Sequence, residues 1–409
     1  MSARRGVEAQ RVASFGTTVF TEFSKLAVEC QAVNLGQGFP DFDGPAELKQ
    51  AAAEAMAQGK NQYAPMLGVP ELRHAVAAHA QRFYEQTVNP DTEVVVTSGA
   101  TEALLDAILG LVDPGDEVVL FEPWYDSYFA GIQLAQAVPR MVRLRPPDLG
   151  HAAWWFDEGE LKAAFSNKTR LVLLNTPHNP TGKVFLREEL ELIGQLASKY
   201  GATVVSDEVY EHLVFAPARH VRTATVPNLA DRTLTISSAG KTFSYTGWKV
   251  GWALGPAPLV RAVAKVHQWA TFATATPFQH AVAKALMLPD TFFRDVVREY
   301  HQRRDLLARA LTEARLPPYV TEGSYFLMVD TRAYAFDDDV AFCRWLTRDV
   351  RVAAIPPSAF YAEAHKGHAA KLARFAFCKS GPVLEEAARR LGRAKENRIK
   401  SGEHPAVNA

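Results

Sequence analysis

The sequence predicts an α/β protein, in which helices sandwich a mostly parallel sheet and a smaller α+β domain follows. Two observations predict this class. Short apolar, β-branched runs alternate with helical segments through the middle of the chain, as in parallel sheets that are covered on both faces. From about residue 317 the pattern becomes mixed, which favours a second domain of another architecture.

The strands of the sheet are predicted from runs rich in valine, leucine, isoleucine and threonine, at 93–97, 117–121, 170–174, 202–206 and 233–236. Helices are predicted at 45–58, 69–85, 100–112, 126–136 and 188–200. In the last of these, Leu190, Ile193 and Leu196 share one face. The turn sequence Asp-Pro-Gly-Asp at 113–116 separates a helix from the next strand.

Further along, helices are predicted at 258–267, 295–314, 338–347 and 383–394, and strands at 325–329 and 374–377. We therefore expect three regions: an N-terminal arm with part of the small domain (1–44), a large domain (45–290) and a C-terminal small domain (291–409). The polar end of the chain, 395–409, is predicted to fray.

Composition excludes several classes of protein. The 409 residues carry 45 basic and 45 acidic side chains, so a net charge of zero gives no support for nucleic-acid or anionic-membrane binding. Three scattered cysteines form no C-x-x-C pair, which argues against a disulfide framework and a cysteine zinc site and favours the cytoplasm. We recognise no signal peptide and no apolar run of the ~20 residues that a membrane span needs.

Unusual residues follow the predicted strands, where open α/β sheets bind ligands. Gly99, Ala100 and Thr101 open a helix and can bring free N–H groups close to a phosphate, although an ordinary tight turn explains them too. Trp124 and Tyr125 follow the next strand, and one ring can cover a planar ligand, although core packing is the commoner explanation.

The next two strands end in polar groups. The loop 175–182 contains two prolines, one of them in an Asn-Pro pair, and a glycine, which favour a rigid loop that aims Asn179. His178 within this loop is more simply a loop residue. Asp207 ends a buried strand and needs a partner, such as a cationic ring nitrogen, unless it caps a helix. Tyr210, three residues on, can reach the same ligand.

The last strand leads into Gly240-Lys241-Thr242, which resembles the end of a nucleotide-binding loop. That motif requires a glycine at the position of Thr235, so it fails. Lys241 remains, among small and apolar neighbours that suit a reactive amine better than a surface ion pair. Together, these groups match pyridoxal phosphate, which a lysine can hold covalently.

The chain resembles the fold type I pyridoxal-phosphate aminotransferases of class I/II, and within them the kynurenine, glutamine and methionine aminotransferase group. The resemblance covers roughly residues 16–394. It is carried by the segments 34–42, 61–63, 175–182, 207–210, 238–251 and 374–379.

The resemblance implies a role for each matching residue. Lys241 would carry pyridoxal 5'-phosphate covalently, and Asp207 would hold its ring nitrogen protonated. The other cofactor contacts would come from groups that bind the phosphate, cover the ring or donate to its oxygen: Gly99, Ala100, Thr101, Ser238, Lys249, Tyr125, Asn179 and Tyr210. Tyr63 would reach the phosphate in a neighbouring subunit, which implies a homodimer. Arg374 would hold the substrate carboxylate, while Phe20, Gly38 and Asn179 would line the substrate side.

The reaction so implied moves an amino group from an L-amino acid to a 2-oxo acid by a ping-pong mechanism, with catalytic Lys241, Asp207 and Tyr210. Phe20 stands where kynurenine aminotransferases usually carry tryptophan, and no arginine in a matching position recommends itself for a second carboxylate. We therefore expect apolar, aromatic, methionine- or glutamine-like donors.

Three alternatives remain at this stage. An N-succinyl-diaminopimelate aminotransferase and a cysteine-S-conjugate β-lyase would share the fold and the first chemical step. The sensor domain of a transcription regulator would need a basic DNA-binding module, which the zero net charge does not favour.

Overall fold

The computed structural model describes residues 7–394. The predicted polar tail at 395–409 lies outside these described residues. The helices are α1 Val19–Glu29, α2 Ala46–Ala57, α3 Pro70–Tyr84, α4 Ala100–Leu111, α5 Asp126–Leu134, α6 Glu158–Ala164, α7 Arg187–Tyr200, α8 Ala239–Thr242, α9 Ala257–Ala270, α10 Thr276–Leu286, α11 Asp290–Glu313, α12 Asp339–Trp345 and α13 Gly381–Leu391.

The strands are β1 Val33–Asn34, β2 Val94–Thr97, β3 Glu117–Glu122, β4 Val138–Arg143, β5 Thr169–Asn175, β6 Thr203–Asp207, β7 Thr233–Ser238, β8 Gly251–Leu254, β9 Phe326–Asp330, β10 Val352–Ala353 and β11 Leu372–Ala376. Seven of them form one sheet in the order β2-β8-β7-β6-β5-β3-β4. Only β8 within this sheet runs against its neighbours. The predicted α/β class with a mostly parallel sheet is therefore confirmed.

Helices cover both faces of the sheet because successive strand residues point to opposite sides. In β3, Val118 and Leu120 pack in a core cluster with side chains of α4, α5 and α9. Val119 and Phe121, between them in the sequence, pack in a second cluster with side chains of α6 and α7. This arrangement leaves the C-terminal strand ends, rather than the faces, open to a ligand.

Eight elements were not predicted, namely the helices α1, α6, α8 and α10 and the strands β1, β4, β8 and β10. The strand β8 has only four residues, Gly-Trp-Ala-Leu, and this run is too short to reveal a period. The helix α10 begins at Thr276 and carries Pro277 in its first turn, where proline is tolerated because the N–H has no helical partner. The predicted helix 338–347 corresponds to α12 and a π-helical turn, Leu346–Val350.

The rest of the chain builds two small sheets, one of β9 antiparallel to β11 and one of β1 parallel to β10. Pairing of Val33 with Val352 places the N-terminal arm beside the C-terminal elements. The predicted boundary at 290/291 falls in the first turn of α11. The three-region division stays a prediction. Among residues 7–394, no helix combines the length and apolarity of a membrane span.

Candidate active site

A cavity of about 280 Å³ lies beyond the C-terminal ends of the sheet strands. Except for Tyr63, all of the predicted site residues line it: Phe20, Gly38, Gly99, Ala100, Thr101, Tyr125, Asn179, Asp207, Tyr210, Ser238, Lys241, Lys249 and Arg374. They come from β6, β7 and β11, from α1, α4 and α8, and from loops. The cavity therefore brings together the residues expected from the strand-end argument and those expected from the family resemblance alone, which are far apart in the sequence.

One side of the cavity is built to receive an anion. Gly99 precedes α4 with φ of 82°, a conformation that favours glycine, and the first N–H groups of α4 at Ala100 and Thr101 lack partners within the helix. A Cβ atom on Gly99 would lie 3.1 Å from Lys249 Nζ, so the ammonium group sits against this turn. Ser238 lies beside the same turn, because it pairs with Gly251 across the sheet and Gly251 packs directly on Gly99. Helix N–H groups, a hydroxyl and a cation suit a phosphate.

Asp207 lies on the floor of the cavity as the last residue of β6, and it is 4% exposed. Burial raises the pKa of its carboxyl group to about 6, while a hydrogen bond from Tyr128 lowers it. Tyr128 Oη donates to Asp207 Oδ2 at 2.6 Å, and Val209 N donates to Oδ1 at 3.3 Å. A turn, not a helix, follows Asp207, so the alternative of a helix cap is wrong.

Lys241 follows β7 in the one-turn helix α8. Its Nζ atom lies 5.7 Å from the ring centre of Tyr210 and 5.6 Å from that of Tyr325. Within residues 7–394, the structure gives this amine no hydrogen bond and no ion pair at salt-bridge distance. Burial lowers the pKa of Lys241, and Cys378 and Asp207 raise it in part. An amine that is more easily deprotonated is a better nucleophile and base.

The loop after β5 is fixed by its own amides. Asn175 Nδ2 donates to the Asp207 carbonyl at 2.9 Å, and its Oδ1 accepts the Asn179 N–H at 2.7 Å. Asn179 is thereby tied to the strand that carries Asp207. His178 is buried and its Nδ1 lies 2.8 Å from Thr181 Oγ1, as expected for a loop residue; burial lowers its pKa to about 3.

Arg374 lies on β11, lines the cavity and is 1% exposed. Its Nη1 donates to Asn179 Oδ1 at 3.0 Å and its Nη2 to the Gly36 carbonyl at 2.8 Å, while Nε has no partner. Burial lowers the pKa of the guanidinium to about 10. No carboxylate among the described residues forms a salt bridge with it. A buried cation without a counter-ion is costly, so this group is suited to receive an anion.

Aromatic rings surround the Arg374 guanidinium. The central carbon of the guanidinium group, Cζ, lies 4.2 Å from the ring centre of Phe326 and 5.1 Å from that of Phe20. A Cβ atom on Gly38 would lie 2.7 Å from Phe326, so only glycine fits there without movement. This part of the cavity is therefore lined by aromatic rings that pack around one buried cation.

Residues 31–391 match the family model of class I and II aminotransferases. The chain belongs to this family. The probable N-succinyldiaminopimelate aminotransferase DapC of Mycobacterium tuberculosis is 46% identical over 388 residues, covering 93% of this chain and 97% of the relative. The methionine aminotransferase of Escherichia coli is 44% identical over 385 residues, covering 94% and 98%.

A solved structure, that of N-succinyldiaminopimelate aminotransferase from Mycobacterium tuberculosis, matches with a TM-score of 0.91 at 45% identity, covering 95% of this chain and 100% of that one. The kynurenine–oxoglutarate transaminase of Dictyostelium discoideum is 39% identical over 419 residues, covering 95% of this chain and 96% of the relative. The enzyme is therefore a transaminase, as the sequence predicted.

Tyr63 of this aminotransferase stands apart from the cavity. It is 86% exposed, and its ring meets that of Phe272 edge-on at 5.7 Å. An exposed tyrosine is consistent with a contribution to a second subunit, which stays a prediction.

Several cavity residues of the aminotransferase were missed by sequence reasoning, namely Gln37, Leu104, Asn175, Val209, Gly240, Thr246, Val250 and Phe326. Tyr128, which holds Asp207, was missed as well. Its signal was its spacing: it lies in the predicted helix 126–136, three residues after Tyr125, which directly precedes that helix, and residues three apart at a helix start lie close together.

Proposed function

We propose that this transaminase binds pyridoxal 5'-phosphate and moves the amino group of an apolar, aromatic, methionine- or glutamine-like L-amino acid to a 2-oxo acid by a ping-pong mechanism. One observation carries the proposal: a buried carboxylate, an unpaired lysine amine and an anion cradle line one cavity. Each of the three matches one part of this cofactor, namely its ring nitrogen, its aldehyde and its phosphate.

The cofactor would be held by its charged ends. The α4 N-terminus at Gly99, Ala100 and Thr101, with Ser238 and Lys249, would bind the phosphate. When bound, pyridoxal phosphate supplies an electrophilic carbon and a cationic ring that accepts the electron pair left behind by an α-proton.

Asp207 would face the ring nitrogen as a carboxylate. Its unfavourable burial is relieved by a cation at that position, and the bond from Tyr128 keeps the carboxylate oriented. Tyr125 would cover the ring, while Asn179 and Tyr210 would donate to its oxygen. The backbone of Asn179 is fixed before the substrate arrives, because its loop is tied to Asp207 through Asn175.

Lys241 would attach to the cofactor and, once displaced by the substrate, act as the base. Its lowered pKa favours the neutral amine, which would take the proton from the substrate α-carbon and return it to the neighbouring cofactor carbon.

Arg374 would hold the substrate α-carboxylate with the part of its guanidinium that the protein leaves unpaired. The cations that line the cavity are Lys241, Lys249 and Arg374, and each is already assigned a role. Among residues 7–394, no further lysine or arginine lines the cavity to bind a second carboxylate, which supports uncharged donors.

The named relatives support a second candidate, N-succinyl-diaminopimelate, because the DapC relative is 46% identical to this chain. Action as a cysteine-S-conjugate β-lyase also stays open, since it would begin with the same proton removal.

We further propose that the enzyme is a homodimer in which Tyr63 completes the neighbouring site. We propose domain boundaries at 44/45 and 290/291. We also propose a cytoplasmic location, which the three free cysteines suit.

The test is a set of half-reactions with purified holoenzyme and single amino acids, without acceptor, in which absorbance follows conversion of the cofactor from its aldehyde to its amine form. We expect conversion with methionine, glutamine, phenylalanine and leucine, and little with aspartate. Preference for N-succinyl-diaminopimelate would support the second candidate, and release of pyruvate and ammonia from a cysteine conjugate would identify the lyase.

Lys241→Ala should abolish conversion with every donor, whereas the exposed Lys168→Ala should convert normally. Full conversion by Lys241→Ala would overturn the proposal.

A further inference from the structure

A cluster of three ionisable side chains lies outside the cavity, between α4 and α9. Glu102 and Asp106 are four residues apart on α4 and so share one face, and His267 on α9 packs against them. The possible ligand atoms of the three side chains lie within 4.8 Å of one another.

Asp106 is the unusual member of this cluster. It is 0% exposed, and neither of its carboxylate oxygens has a hydrogen-bond partner. A buried carboxylate without partners is costly and rare in native proteins. The only ionisable side chain at salt-bridge distance from Asp106 among residues 7–394 is His267, whose Nδ1 is 4.0 Å from Asp106 Oδ2 and 2.9 Å from Glu102 Oε1.

We propose that Glu102, Asp106 and His267 bind a divalent first-row transition-metal ion, for which Zn²⁺ is the probe. One imidazole and two carboxylates form a ligand set that such ions accept. Zinc bonds to these atoms are about 2.0–2.2 Å long, so a bound ion would draw the three side chains slightly closer. Two carboxylates and a neutral imidazole also balance the charge of the ion.

The surroundings favour this cluster over a similar one. His79, Glu211 and His212 also lie close together, but Arg222 already pairs with Glu211. No lysine or arginine of the described chain forms a salt bridge with Glu102 or Asp106. Access is available on one side, where the exposed Thr271 donates its hydroxyl to Glu102.

An ion here would act on the active site at a distance. Glu102 accepts the Ser98 N–H, directly before the turn that forms the anion cradle. A metal shared with His267 would fix the first turn of α4 to α9, so we expect it to raise the Tm of the protein.

The experiment uses holoenzyme stripped with a chelator, dialysed against Zn²⁺ and assayed for bound metal, with no amino acid present. The variants are Asp106→Asn and, as a matched control, the exposed Asp113→Asn. We expect wild type and control to bind one ion per chain, and Asp106→Asn to bind it more than about 100-fold more weakly, since even indirect ligand partners contribute about 10–100-fold. Mg²⁺, which prefers oxygen ligands, should compete poorly.

Absence of Zn²⁺ binding by wild type, or equal binding by Asp106→Asn, would overturn the proposal. If Asp106→Asn does not fold, Co²⁺ bound to wild type decides the matter. We expect Co²⁺ bound to wild type to give the visible absorption bands of a site with a nitrogen ligand, and we expect His267→Gln to lose these bands. An unchanged spectrum in His267→Gln would contradict the assignment. The result does not depend on the donor of the transaminase.

Discussion

The hydrogen bond from Tyr128 to Asp207 allows a quantitative test of the proposed cofactor site. Tyr128→Phe removes the hydroxyl that lies 2.6 Å from Asp207 Oδ2 and leaves the bond from Val209 N to Oδ1. Hydrogen bonds to charged groups contribute about 1.5–3 kcal/mol, and 1.36 kcal/mol corresponds to one pKa unit. The pKa of Asp207 in the protein without cofactor should therefore rise from about 6 to roughly 7–8.

The sign of the effect follows from the charge that the cofactor requires. A cationic ring nitrogen binds next to the carboxylate form of Asp207, which is present above its pKa and lost as the pH falls through it. Affinity for pyridoxal phosphate should then decline below about pH 6 in wild type and below roughly pH 7–8 in Tyr128→Phe. At pH 7 the variant should bind roughly two- to tenfold more weakly, and at about pH 9 equally well.

The assay is a fluorescence titration of the cofactor-free protein with pyridoxal phosphate across this pH range. The cofactor phosphate also titrates near pH 6, but it does so equally in the titrations of wild type and of each variant. The difference between the pH profiles of wild type and Tyr128→Phe therefore reports on Asp207 alone. Tyr319→Phe, which changes a tyrosine outside the cavity lining, is the control. A Tyr128→Phe profile that coincides with wild type, or that moves to lower pH, would refute the reasoning.

Three further predictions concern the proposed carboxylate site, the proposed phosphate site and the proposed sharing of sites between subunits. Arg374→Lys should raise the KM for amino acids with a smaller change in kcat, because an ammonium cannot form two parallel hydrogen bonds to a carboxylate as a guanidinium does. The value of kcat/KM should fall about 10- to 150-fold. The control, the exposed Arg344→Lys, should not alter steady-state kinetics. Gly99→Ala should weaken cofactor binding, since its Cβ would meet Lys249 Nζ at 3.1 Å at a φ of 82°; unchanged affinity in a cofactor titration would place the phosphate elsewhere. Tyr63→Phe should lower cofactor affinity if the subunits share sites. Two kinds of mixed dimer test this: one carries Tyr63→Phe in one subunit and Lys241→Ala in the other, and the second carries both changes in the same subunit. Their activities should differ, and equal activities would contradict shared sites.

The sequence predicted most of the proposed cofactor side of the cavity because each part of it is local to a strand end. Asp207 and Lys241 end or follow parallel strands, and parallel strands bring their C-terminal ends to one edge of the sheet. The order of strands was not needed for this conclusion. For the same reason, the set of predicted site residues was unaffected by the failure to predict the antiparallel strand β8.

Contacts between distant segments could not be predicted in this way. Phe20 and Arg374 were expected from the family resemblance alone, because they lie 354 positions apart and the strand-end argument says nothing about β11 or α1. The helix cap suggested for Asp207 was wrong because the cap signal is an acidic residue after a strand, and the same signal precedes a turn. His267 and Asp106 meet only through the packing of α4 on α9, which no local pattern encodes.

The most direct test of the central claim is reduction of the holoenzyme with borohydride, followed by protease digestion and mass spectrometry of the peptides. The account predicts a single pyridoxyl-phosphate adduct, on the peptide that contains Lys241. An adduct on another lysine, or none on a holoenzyme that is active, would contradict it.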